Sequence, residues 1–125
     1  MIEGGGVILV ADDQEGVREV AKVMLKTVGF EAVTAKGGVE AVEIFRERHA
    51  DFCIVLSDLS MPFMNGWETM AALRRIRPDI PVILSSGYDE AHAMSGKHTE
   101  QPQAFLQKPY RMQALKDALA KALAG

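Results

Sequence analysis

Only one cysteine, Cys53, occurs in the 125 residues, so no intrachain disulfide framework is possible. That agrees with a reducing compartment, and Cys53, set inside an apolar run, reads as a small buried hydrophobe. Positive charge is not in excess either: 14 Lys and Arg face 17 Asp and Glu, for a net charge of -3. With no basic run or stripe, direct nucleic-acid binding is not expected. No apolar stretch approaches the length of a membrane span, and no signal peptide is present, so a cytoplasmic location is expected. His49, His92 and His98 lack metal-ligand spacing and are expected on the surface. The length leaves no room for two ordinary domains.

What is present, 48% hydrophobic and 25% charged residues, is the profile of one globular domain. Residues 1–6, MIEGGG, have the composition of a linker or cloning scar, and the domain is expected over 7–124. Three apolar runs, starting at Val7, Phe52 and Val82, read as buried strands. Two shorter or more polar stretches, 31–35 and 104–107, read as edge strands. Helical spacing separates them. Val17, Val20, Ala21, Met24, Leu25 and Val28 share a face that ends at Gly29. Val39, Val42 and Phe45 are expected inward on the next helix, then Trp67, Met70 and Leu73, and finally Met112, Leu115, Leu119 and Ala122. The 89–99 stretch is the weakest: Gly96 interrupts it, and a short or mobile helix is expected there. No output domain is expected beyond the last helix.

Strand-helix alternation of this kind demands a parallel sheet with helices on both faces. Central and edge strands then sort into the order 2-1-3-4-5, a flavodoxin-like doubly wound α/β fold. Such a sheet carries the carboxyl ends of its strands along one rim. Those ends are Asp12 and Asp13, Asp58, Ser86 and Lys108. Singly, each has an ordinary explanation: acids cap helices, a serine makes a turn, a lysine is solvated. Helix capping suits Asn65 better than Asp58, since Asn65 directly precedes the run from Gly66. Together the rim residues form a site. Clustered carboxylates repel, and a hard divalent cation such as Mg²⁺ resolves that repulsion while binding a phosphate oxygen. A lysine and a hydroxyl add donors for a phosphoryl group, and Asp58, midway along the rim, is the candidate nucleophile.

With these residues in place, the chain resembles the receiver domains of bacterial response regulators, and its last stretches resemble receivers of hybrid sensor kinases. The matching motifs are VADD at 10–13, DLSMPFMNG at 58–66, SG at 86–87 and FLQKP at 105–109. The resemblance implies that Asp58 accepts a phosphoryl group from a phosphohistidine of a sensor histidine kinase or histidine phosphotransfer domain. It implies that Asp13, Asp58 and the Ser60 carbonyl bind Mg²⁺, with Asp12 acting through water. Lys108 and Ser86 hold the phosphoryl oxygens, and Ser86 and Phe105 act as the switch that biases the face of the fourth helix, fifth strand and fifth helix. Ser60 and Tyr88 flank the path of the hydrolytic water, with Tyr88 expected to screen it. A cis Lys108-Pro109 bond, self-association on phosphorylation and the absence of turnover on an external substrate are further implications.

Three competing readings differ in class. A haloacid-dehalogenase-type phosphatase places its nucleophile on the first strand with a second acid two residues on, whereas Asp12 and Asp13 are adjacent. A flavodoxin-like FMN binder needs a phosphate cradle after the first strand, where ADDQEG repels phosphate. A receiver-like docking module that is never phosphorylated is disfavoured by the complete acid set.

Overall fold

The computed structural model describes residues 5–124. Its strands are β1 (Val7–Ala11), β2 (Glu31–Ala35), β3 (Phe52–Asp58), β4 (Val82–Ser86) and β5 (Ala104–Gln107), all parallel, in the order β2-β1-β3-β4-β5. Between them run α1 (Glu15–Val28), α2 (Gly38–Arg48), α3 (Gly66–Ile76) and α4 (Glu90–Ala93), with α5 (Met112–Ala124) last. This is the wound sheet expected from the sequence. The continuously apolar strands are central because both their faces are covered by helices.

Successive side chains of a strand point to opposite faces, so each central strand feeds two cores. Ile8, Val10, Ile54, Leu56, Ile83 and Leu106 meet Leu25 of α1 and Leu115 and Leu119 of α5 on one face. Leu9, Val55, Val82 and Leu84 meet Phe45 of α2 and Met70 and Leu73 of α3 on the other. Cys53 packs at the margin of the first core, half-buried.

The helix ends follow local chemistry. Asn65 caps α3 in a capping box, its side chain accepting from the Glu68 N–H while Glu68 accepts from the Asn65 N–H, each at 2.9 Å. Gly29 closes α1 in the left-handed region at φ 106°, where a side chain would be strained. Gly66 is required for a different reason: a Cβ there would lie 2.6 Å from the Asp58 carbonyl oxygen. The loop leaving β3 is thus pulled tight against it.

Some expectations are corrected. Val20 and Val39 are 51% and 54% exposed rather than inward. Each sits at the margin of its helix's apolar stripe, where spacing alone does not separate core from rim. His98 is not a free surface group: it is half-buried and stacks on Trp67, with ring centroids 3.4 Å apart. The weak stretch at 89–99 does form only the single turn α4. After it the chain is strapped to α3, where the Arg74 guanidinium donates to the Gln101 carbonyl at 2.7 Å, Glu100 at 3.0 Å and the Gln103 side-chain oxygen at 2.7 Å. Residues 1–4 of the expected linker lie outside the described residues. Gly5 and Gly6 bond to the sheet margin: the Gly5 N–H donates to the Gly29 carbonyl, and Gly6 accepts from the Glu31 N–H.

Candidate functional site

Strand alternation decides which side chains reach the rim together. Val10, Leu56, Ile83 and Leu106 all face α1 and α5. Two residues further on, Asp12, Asp58, Ser85 and Lys108 continue those rows on the same side. The Lys108 ammonium donates to Asp12 Oδ2 at 2.8 Å and lies 3.0 Å from Asp58 Oδ1. Asp12 is 1% and Asp58 6% exposed, whereas Asp13 is exposed. Carboxylate oxygens of Asp12, Asp13 and Asp58 lie within 4.8 Å of one another.

Three acids therefore cluster around one ammonium, which pairs with two of them, Asp12 and Asp58. Burial raises the Asp58 carboxyl above the ordinary 3.8; Asp12 and Asp13 add to this, while Lys108 opposes it. Burial alone would lower the Lys108 ammonium, but its bonds to Asp12 and Asp58 outweigh that and leave it raised. The ammonium has two carboxylate partners, whereas Asp58 has only a share of one ammonium. Hard oxygen donors, excess negative charge and one open side suit a divalent cation of the Mg²⁺ type.

Backbone bonds fix the remaining members. Asp12 Oδ1 accepts the Gln14 N–H at 2.9 Å, and the Arg18 guanidinium donates to the Asp12 carbonyl at 2.8 Å. Ser86, 3% exposed, accepts the Tyr88 N–H on its hydroxyl at 3.1 Å, and its carbonyl accepts the Lys108 N–H at 2.8 Å. The Tyr88 ring is 60% exposed and stacks on His92 at 4.5 Å. Ser60 is exposed in the loop after Asp58, and Phe105 is half-buried in β5. The Lys108-Pro109 bond is cis, as in about 5–6% of such bonds in folded proteins.

Three features escape sequence reasoning. Phe63 is 99% exposed at φ 67°, the centre of a tight turn closed by the Met64 N–H on the Pro62 carbonyl at 2.7 Å. An apolar groove of about 690 Å³ opens beside Lys108, lined by Val17, Val20, Pro109 and Tyr110. The third is a hydroxyl pair, Ser85 Oγ and Tyr110 Oη, 3.0 Å apart. The doubled serine of the SSG stretch and the tyrosine after Lys-Pro were its only sequence signal.

Fold and rim together define a class: a doubly wound α/β domain with an acid cluster and a lysine at the carboxyl ends of its parallel strands. Residues 8–120 match the response regulator receiver domain family. The chain belongs to that family; it is a receiver domain of the two-component type. It is 33% identical over 114 residues to the sensor kinase CckA of Brucella abortus, covering 91% of this chain but 12% of that kinase. A response regulator receiver domain from Clostridium thermocellum superimposes with a TM-score of 0.84 at 28% identity, covering 96% of this chain and 95% of that one. The receiver domain of the hybrid histidine kinase CckA gives 0.77 at 29% identity, covering 94% and 99%. The phosphatase and flavin readings are thereby set aside. Among the described residues, no helix is long and apolar enough to cross a membrane.

Proposed function

We propose that Asp58 is the phosphoacceptor of a phosphorelay, within a domain spanning 7–124, and that it is loaded from a phosphohistidine. The observation that carries this is the Lys108 ammonium bridging Asp12 and Asp58 at 2.8 and 3.0 Å, in a cluster with negative charge to spare. Asp13, Asp58 and the Ser60 carbonyl would hold Mg²⁺, with Asp12 acting through water. The ion supplies charge neutralisation for the incoming phosphoryl oxygens.

A carboxylate oxygen of Asp58 forms a bond to phosphorus as the phosphorus–nitrogen bond of the donor breaks. The electron pair goes to the imidazole nitrogen, and a proton at the ring leaves it neutral. Lys108 is already aimed at the acceptor and takes up negative charge as it develops; the Ser86 hydroxyl donates to a phosphoryl oxygen. Ser86 trades its bond from the Tyr88 N–H for that contact, and Phe105 follows, altering the face of α4, β5 and α5. That face is the surface for an output partner or for self-association of the phosphorylated form.

The donor is a sensor histidine kinase or histidine phosphotransfer domain in the cytoplasm, and this domain turns over no external substrate. The apolar groove beside Lys108 suits a partner helix carrying the histidine within reach of Asp58. Mixing the chain with a phosphorylated histidine phosphotransfer domain in Mg²⁺ should move the phosphoryl group onto it. Transfer unchanged in Asp58→Asn would overturn the assignment.

A further inference from the structure

Ser85 is fully buried, and its backbone partner across β3 is Asp58 itself. Its carbonyl accepts the Leu59 N–H at 2.8 Å, holding the chain just past the acceptor. Its hydroxyl meets the Tyr110 hydroxyl at 3.0 Å. One residue thus ties down the acceptor loop through its backbone and the lysine segment through its side chain.

The lysine segment needs such a tie. Upstream, the Lys108 N–H is fixed on the Ser86 carbonyl at 2.8 Å. Downstream, Pro109 has no N–H to give, and α5 begins only at Met112. Between them, the Tyr110 phenol is the polar group that reaches β4, with its ring packed on the α1–α5 core. Lysine itself is a flexible stem carrying a point charge, so its aim depends on where its backbone is held. Burial pushes the Tyr110 phenol up to about 12, against the Ser85 bond and the Lys108 charge, so it stays a neutral hydroxyl across the working range.

We infer that Tyr110 is a positioning residue for phosphoryl transfer: its bond to Ser85 clamps the 108–110 segment to β4 and keeps the Lys108 ammonium on Asp58. The inference rests on Asp58 being the phosphoacceptor. Acetyl phosphate in Mg²⁺ is a suitable probe, because it needs no docking partner. With it, the Asp58 oxygen bonds to phosphorus, the phosphorus–oxygen bond to the acyl group breaks, and acetate leaves with the electron pair.

Tyr110→Phe should lower the rate constant at saturating donor about tenfold, with the half-saturating concentration changed by less than about twofold. Ser85→Ala should fall in the same direction, and Ser85→Thr, which restores a hydroxyl, should recover part of the loss. The Ser85→Ala/Tyr110→Phe double variant should be no slower than the slower single variant. In ¹⁵N-lysine-labelled protein the Lys108 ammonium resonance should shift in Tyr110→Phe, a change that mere loss of stability would not produce. A parent labelled at Asp58 whose folded Tyr110→Phe and Ser85→Ala variants keep its rate and resonance overturns this inference alone. A parent that takes no label at Asp58 overturns the acceptor reading and this inference with it.

Discussion

Replacing Asp58 should stabilise the chain in the absence of divalent ions. At an effective dielectric of about 20, two carboxylates at the 4.8 Å limit of the cluster repel by about 3.5 kcal/mol. Asp58 has two such neighbours, whereas Lys108 at 3.0 Å returns about 5.5 kcal/mol. Solvent screens the share of exposed Asp13, and the burial of Asp58 adds a desolvation cost, so Asp58→Asn should gain about 1–2 kcal/mol. That corresponds to a Tm higher by about 3–8 °C for a chain of this size. The sign with pH follows from the raised carboxyl of Asp58. The fold disfavours the ionised form, so the advantage of the variant is full above the folded pKa. It shrinks as pH falls through the folded pKa and is gone below the unfolded value, 3.8. Mg²⁺ should reverse the ranking: at one hundred times its Kd it stabilises the parent by about 2.7 kcal/mol, and the variant by less. Thermal melts followed by circular dichroism, with EDTA or Mg²⁺, measure both effects. A variant less stable than the parent in EDTA, or stabilised equally by Mg²⁺, would refute the reasoning.

Other outcomes follow from the same geometry. Lys108→Met keeps the stem and removes the charge; labelling by acetyl phosphate should slow about a hundredfold, read from single-turnover kinetics. Tyr88→Ala should shorten the lifetime of the phosphorylated form about twofold to fivefold by opening the path of the hydrolytic water. An unchanged decay rate would remove the screening role of the ring. Arg74→Ala strips the strap over α3 of its donors and should cost about 1–3 kcal/mol, read from the urea midpoint. Amide exchange should then accelerate in residues 94–103 ahead of the central strands.

The order of the sheet was legible because Val7, Phe52 and Val82 open runs with no polar face, which only central parallel strands require. The rim followed from topology, since Asp12, Asp58 and Lys108 each stand at a strand end and alternation puts them on one side. Side-chain commitments across the chain were not legible. Nothing local announces that Tyr110 reaches Ser85, 25 residues back, or that Arg74 binds Gln101, 27 residues on. Val20 and Val39 look like core by spacing, and only the neighbouring helices decide that they lie at its margin. The stack of His98 on Trp67 escaped for the same reason: an isolated histidine in a weak helix reads as solvated until the strap brings it back over α3. The left-handed Phe63 had no signal, because turn chemistry pointed to Asn65-Gly66 beside it.

The most direct measurement is to map the label left by acetyl phosphate and Mg²⁺. One phosphoryl group should appear on the peptide containing Asp58, sensitive to hydroxylamine, and be lost with EDTA or in Asp58→Asn. Label on another residue, or label that survives either change, would contradict the account.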